Sequence, residues 1–329
     1  TIERSENYGY YSDLLWCAVP LTGMAWYYYG LRPVLLMLAA LVTAYLCDCA
    51  LAPLHGEGYR AHEPSSERFA ALIVLLMPAS VSYGIVIVAV IAAVLVKEAF
   101  GGEGHYPFHP AAVGAAIAGV SWPEHVYYYP APGTQLPIWG EINDNLVQGM
   151  NESLRSGGLP SASTMNLLTG NVSAGIGTGA ALVILACGLV LWTQKDVHIG
   201  ASASFLITCG LIAFFFPRQV GLADSTLFSS LMPRLQGIRD ELHTGAVLFC
   251  AVFLLNEPYT CAHHRLGRIL YGALVGAATM GFRYFGVYET GVCFALLAVN
   301  SVSALIDRTE ERLYRLLHRL PSERKEAAE

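Results

Sequence analysis

Three short stretches of this sequence carry residue types that do chemistry. The first is Ser161-Ala162-Ser163-Thr164-Met165-Asn166, a cluster of small hydroxyls shortly before an apolar run. Such hydroxyls cap helix N-termini, because the side-chain oxygen accepts from a backbone N–H that has no partner in the helix. A hydroxyl in an accessible loop can also be esterified. The second is Lys97-Glu98-Ala99-Phe100-Gly101-Gly102-Glu103-Gly104, followed by Pro107-Phe108-His109-Pro110-Ala111. Its glycines permit conformations closed to other residues and close approach of a ligand. Its prolines remove backbone donors and break helices. The third, Asn256-Glu257-Pro258-Tyr259-Thr260, sets an acid beside a proline. Freed carbonyls and a carboxylate there could coordinate a cation, and acids within a membrane are functional candidates by default. Each stretch also has a plain reading. They are a helix cap, a tight turn with snorkelling charges and an acid in headgroup water.

The elements that position these residues follow from composition. The chain has 329 residues, 54% hydrophobic and only 13% charged. Its mean hydropathy is +0.47. Soluble domains carry about 25% charged residues. The expected class is therefore an all-α integral membrane protein. A net charge of −6 leaves no basic footprint for nucleic acid. Most of the eight cysteines lie in apolar runs, where they read as small buried hydrophobes. The polar N-terminal residues lack the basic start and short apolar core of a cleaved signal peptide.

About ten candidate membrane spans appear: Leu14–Tyr29, Pro33–Leu51, Phe69–Val81, Ser82–Ala99, Ala111–Ser121, Val172–Trp192, Ile199–Phe216, Thr244–Leu255, Leu266–Phe285 and Val287–Ile306. The third, fifth and eighth are short, as in folds whose broken helices line a site. The chain divides into a first five-helix repeat (1–121), a polar loop (122–171), a second repeat (172–307) and a charged tail (308–329). Ala99-Phe100-Gly101-Gly102-Glu103-Gly104 leads into the fifth span. Tyr284-Phe285-Gly286, then Glu289 and Gly291, leads into the tenth. An odd number of spans per repeat makes the repeats inverted. With a cytoplasmic N-terminus, thirteen of the nineteen basic residues fall on the inner side. That bias favours cytoplasmic N- and C-termini, with the 122–171 loop outside.

The order of these motifs resembles the D subunit of the Rnf complex, a bacterial membrane ferredoxin:NAD oxidoreductase. It is related to the B subunit of the sodium-pumping NADH:quinone oxidoreductase. The resemblance runs from about Asp13 to Asp307. Its strongest parts are Phe100 to Ala111 and the run from Asn256 to Thr260. Gly267-Arg268, Tyr271 to Gly276 and Leu305-Ile306-Asp307 continue it in order. In that family a threonine in a Ser-x-Ala-Thr motif carries FMN through a phosphoester bond. The resemblance places this on Thr164, with Ser161 as the motif's serine. Ser163 stands where the motif usually has Ala, which makes it a second candidate acceptor. Gly158 replaces an acid, His109 an Asn, Phe69-Ala70 a Thr-Gly pair, and Glu257 an Asp. The shorter N-terminus favours the Rnf subunit over its quinone-reductase relative.

The resemblance implies an electron carrier in the bacterial inner membrane, active only within a complex. Covalent FMN on Thr164, and riboflavin as a second flavin, would pass electrons coupled to Na⁺ or H⁺ movement. Ser161, Ser163, Gly101, Gly102, Phe108, His109 and Pro110 join Thr164 as candidate cofactor contacts. Glu257, Asp307 and Glu103 are the candidate ion path. The implied partners are the flavoprotein G, NAD-reducing C, membrane A and E, and ferredoxin-oxidising B subunits. No iron–sulfur ligand set or dinucleotide fingerprint occurs in this chain. The reading from another class is a cofactor-free solute channel or secondary transporter, in which inverted repeats are equally natural.

Overall fold

The computed structural model describes residues 2–55, 66–140, 142, 146–157, 162–194, 199–218, 231–286 and 288–326. The fold is helical, with one small antiparallel pair of strands among the described residues. The first group of helices is α1 (Ile2–Tyr29), α2 (Arg32–Leu51), α3 (Glu67–Leu76), α4 (Tyr83–Ala99) and α5 (Pro110–Ser121). A loop region follows. It holds α6 (Pro123–Val126), the strands β1 (Tyr128–Pro130) and β2 (Leu146–Gln148), α7 (Met150–Arg155) and α8 (Thr164–Thr169). Tyr129 pairs with Val147 at the centre of the two strands. The second group is α9 (Ala181–Thr193), α10 (Ile199–Phe215), α11 (Leu231–His243), α12 (Val247–Phe249), α13 (Arg265–Phe285) and α14 (Gly291–Glu326).

The breaks in the helices have local causes. Ser66 opens α3 while Asp48 accepts from its N–H at 2.8 Å and its hydroxyl at 2.7 Å. Lys97 adds a bond to the same hydroxyl. Helix α3 stops at Met77, which is extended (φ −88°, ψ 157°). Pro78 forces this, because proline excludes its predecessor from the helical region. The freed carbonyls at the helix end do not stay open. Gly177 N–H donates to Leu75 O at 2.7 Å and Ile176 N–H to Met77 O at 2.9 Å. His109 is likewise extended before Pro110, which then starts α5 at the position where a missing N–H costs nothing. Helix α12 opens at Ala246, a non-glycine residue with positive φ (61°). It continues as a five-residue π-turn, Cys250–Leu254, that ends before Glu257-Pro258. Asn256 Nδ2 donates to Ala251 O and Val252 O and so satisfies carbonyls of that turn.

Packing uses small residues. Gly272 of α13 lies against the backbone of Ala201 in α10, where a Cβ would collide with its carbonyl. Close backbone approach of this kind is how helices associate without a water-driven hydrophobic force. Large apolar side chains face outward on several helices: Trp16, Trp26, Leu46, Leu182 and Ile207 are all more than half exposed. Such a belt suits an apolar surround. Two of the largest fully buried side chains are instead arginines, Arg68 and Arg283.

Two helices, Arg32–Leu51 and the Gly291–Glu310 part of α14, are long and apolar enough to cross a bilayer. The expected third, sixth and eighth spans form only in part. Residues 172–180 are not helical, α3 ends at Leu76, and α12 with its π-turn is eight residues long. The tenth starts at Gly291, so Glu289 lies in the turn before it, and it continues unbroken to Glu326. The charged tail expected from Arg308 onward is thus the far part of one helix up to that point.

Candidate functional site

Helix α1 measures the molecule. Tyr11 OH donates to Glu103 about a third of the way along it, and Tyr28 OH donates to Thr169 O near its end. At 1.5 Å per residue these points are about 26 Å apart. The polar groups gather at these two levels. The end carrying residues 122–171 is the loop end; the other is the far end.

At the far end, Arg68 is the hub. Its Nη2 donates to Glu103 Oε1 at 2.5 Å and to Tyr106 OH at 3.2 Å, and lies 4.0 Å from Glu257 Oε1. Tyr106 OH donates to Glu257 Oε1 at 2.6 Å. The Arg68 guanidinium also covers the Tyr11 ring at 3.6 Å and the Phe69 ring at 4.3 Å. Arg68 and Glu257 are fully enclosed. Two carboxylates thus face one guanidinium. Glu103 Oε2, Glu257 Oε2 and Thr260 Oγ1 are buried without a hydrogen-bond partner among the described residues. Burial of an uncompensated carboxylate is costly, so this arrangement favours uptake of a proton or small cation.

The sequence candidates divide between the ends. Glu103 and Glu257 come together through Arg68 and Tyr106. Asp307 stands apart on α14, where its carboxylate accepts from His263 N–H at 3.1 Å and lies 2.9 Å from the His263 ring. Gly101 and Gly102 adopt positive φ in the tight turn after α4, with N–H groups bonded to Glu98 O and Lys97 O. Phe108 packs edge-on against Phe100. His109 is fully buried, edge-on to Phe69, and Pro110 is buried at the start of α5. None of these five is brought to Thr164.

At the loop end, Thr164 is the exposed first residue of α8. Ser163 is its N-cap, with Oγ accepting from Asn166 N–H at 3.2 Å. Ser161, with Gly158, lies outside the described residues. Arg239 of α11 donates from Nη1 to Thr164 Oγ1 at 2.7 Å. Its Nε and Nη2 both donate to Asp240 Oδ1, at 2.8 and 2.6 Å. Burial pushes the Asp240 carboxyl up, and Arg239 partly offsets this. Behind this pair, Glu241 accepts from Arg218 at 2.7 and 2.8 Å and pairs with Arg283 at 2.9 Å. Asn151 Oδ1 accepts from both arginines, while its N–H donates to Glu289 Oε1 at 3.0 Å. Glu289 lies between two hollows. One, about 220 Å³, is lined by Tyr127, Tyr128, Glu152 and Tyr288. The other, about 10 Å³, touches Thr178, Thr244 and Gly245.

Glu289 makes the loop end pH-sensitive. Burial pushes its carboxyl up to about 7, only partly offset by the Asn151 N–H and by Arg283 and Arg218. The fold therefore holds a proton that the unfolded chain releases near 4.5. The resulting stability is complete below about 4.5 and is lost as pH rises through about 7. The loss is of order 3 kcal/mol, from 1.36 kcal/mol per pKa unit. Glu289→Gln keeps an acceptor for Asn151 N–H and removes the titration. Melting in detergent at pH 5 and pH 8 is expected to differ for the native chain and to converge for this variant. An unchanged difference in Glu289→Gln would assign the pH response elsewhere.

Arg68, Arg239, Arg283 and Glu289 are the residues that sequence reasoning did not assign to a site. The arginines entered it only as positive charges in loops, and Glu289 only as a repeat marker. Arg68 carried one usable signal: it directly precedes the apolar run from Phe69 to Met77. Apart from the adjacent Arg239–Asp240 pair, the other pairings span long separations and left no local pattern.

A helical bundle with apolar outer faces and a buried arginine at each end defines a protein built for an apolar surround. The chain belongs to the NQR2, RnfD, RnfE family, whose model matches residues 6–315. It is similar to proteins named as the D subunit of an ion-translocating oxidoreductase complex. That of Klebsiella pneumoniae is 28% identical over 341 residues, covering 92% of this chain and 93% of the relative. That of Cronobacter sakazakii is 27% identical, covering 90% and 91%. That of Escherichia coli is 28% identical, covering 92% of each.

Proposed function

We propose that this chain is the D-type subunit of an ion-translocating oxidoreductase complex, with FMN esterified to Thr164. The observation that carries the reading is the state of the two hydroxyls at the start of α8. Both are exposed, but the Thr164 oxygen accepts from a guanidinium, whereas the Ser163 oxygen is engaged as a helix cap. A phosphate-bearing group fits there: an accessible hydroxyl to carry it, and a cation beside that hydroxyl to balance it. FMN supplies the one- or two-electron chemistry that side chains lack.

The rest of the reading follows from family membership and the two polar ends. Electrons from ferredoxin would reach NAD through neighbouring subunits, coupled to Na⁺ or H⁺ movement. Glu103 and Glu257 would take up the ion at the far end, and Asp307 beside His263 would serve nearer the surface. The far end would face the cytoplasm, with ten crossings in two inverted five-helix repeats. Matching features support the repeats. The helical part of each repeat's third expected span ends shortly before a proline, at Leu76 before Pro78 and at Leu254 before Pro258. Each final turn carries an acid, Glu103 or Glu289. Each end encloses one of the two arginines among the largest fully buried side chains, Arg68 or Arg283.

The test is made on the assembled complex. Mass spectrometry of the denatured chain is expected to show an FMN-sized adduct on the Thr164 peptide, and in-gel flavin fluorescence is expected to vanish in Thr164→Ala. A native chain from active complex with an unmodified Thr164 peptide would sink the proposal. It would turn attention to a cofactor-free transporter.

A further inference from the structure

Arg239 has a geometry that a surface arginine does not need. Three of its donors are fixed: Nε and Nη2 converge on one oxygen of Asp240, and Nη1 points at Thr164 Oγ1. Asp240 is buried, so the rear of the fork is held from inside the protein. The neighbouring acid Glu241 is taken up by Arg218 and Arg283 and does not compete for Arg239. The Arg239 carbonyl is in contact with the His243 ring at 2.7 Å, which adds a tie within α11. A planar guanidinium with its back secured and its front on an exposed hydroxyl suits a phosphate joined to that hydroxyl. The fork offers parallel N–H donors that match phosphate oxygens, which a lysine ammonium cannot reproduce.

We infer that Arg239 is the positioning residue for the phosphate carried on Thr164, and that Asp240 holds Arg239 in place. The inference rests on Thr164 as the attachment point. The phosphate in a diester bears one negative charge. Arg239 balances it, and this ties α8 to α11 more firmly than the bare hydroxyl does. The attached group would then be docked against the protein instead of swinging on a tether.

The experiment compares complexes produced with and without an enzyme that transfers the FMN phosphate from FAD to the Thr164 hydroxyl, breaking the pyrophosphate bond and releasing AMP and the hydroxyl proton, so that each chain exists with Thr164 modified and unmodified. Attachment is expected to raise the melting temperature of the native chain and to leave that of Arg239→Gln unchanged. The modified fraction of the Thr164 peptide is expected to fall about tenfold in Arg239→Gln, the scale of one charge-assisted hydrogen bond. Arg239→Lys, which keeps the charge and loses the fork, should fall between the two. An equal rise in melting temperature and an equal modified fraction in Arg239→Gln would overturn the inference. Where Arg239→Gln does not assemble, Asp240→Asn provides the same comparison, with a reduced rise expected and a full rise overturning it. A Thr164 peptide unmodified in the native complex overturns the attachment reading itself, and this inference with it. A modified native peptide with an unaffected Arg239→Gln overturns the inference alone.

Discussion

Replacing Arg68 by Met is expected to destabilise the protein by about 3–5 kcal/mol, the cost of stranding a buried partner charge. Arg68 is the cation that Glu103 and Glu257 share, and Glu257 is fully enclosed. Without it, Glu257 keeps only the Tyr106 hydroxyl on Oε1. The same reasoning predicts rescue. In Arg68→Met with Glu257→Gln no uncompensated charge remains at Glu257, and most of the lost stability should return. Glu257→Gln alone keeps an oxygen for Tyr106 and leaves Arg68 with Glu103, so its cost should be small. Unfolding in detergent measures all three. If the single and double Arg68 variants melt together, Glu257 is not charged beside Arg68 and the ion-uptake reading loses its basis. If transport is reconstituted, Glu257→Gln should suppress ion movement while leaving flavin content unchanged.

The sequence reading located breaks better than partners. Pro110 and Pro258 act through local sterics, so the end of the π-turn and the start of α5 were visible as apolar runs beside prolines, whereas the expected third span ran past Pro78 to Val81 and α3 stops at Leu76. Gly101 and Gly102 were legible for the same reason, since a turn that tight needs positive φ. The helix content of whole spans was less legible. Residues 172–180 are apolar enough to read as helix. They form turns instead, because Ile176 and Gly177 satisfy the open end of α3, a partner about a hundred residues earlier. Family resemblance pointed to Thr164, and the departure from its motif at Ser163 left that serine as an alternative. The proposal for Thr164 draws on a cap bond made within α8 by Ser163 and on a guanidinium that arrives from α11, seventy-five residues away. Arg68 was obscured differently. Composition counts an arginine at the start of an apolar run as a snorkelling loop charge. Only the joint arrival of Tyr11, Glu103 and Glu257 makes it a buried hub.

Arg283→Met is expected to have the second large effect, from leaving several buried acceptors without their donor at about 1–3 kcal/mol each. Arg283 is fully buried and spends its donors on several elements at once. It bonds Glu241 O at 2.7 Å, Thr244 O and the Thr244 hydroxyl, and Asn151 Oδ1 at 3.2 Å. Methionine fills much of the volume and supplies none of these bonds. Buried acceptors at the C-terminal end of α11 then lose their donor, each at the desolvation cost of an unmade hydrogen bond. Arg218 still holds the Glu241 carboxylate, so the helix should loosen at its end without leaving. Arg239 lies near the end of the same helix. Loosening that end should move its guanidinium off Thr164, and the modified fraction of the Thr164 peptide should fall although Arg283 has no bond to Thr164. Melting and peptide mass spectrometry on one preparation separate the outcomes. Lower stability with full modification would show that α11 holds its register without Arg283. Lower stability with reduced modification would show that the buried network sets the position of the proposed attachment site.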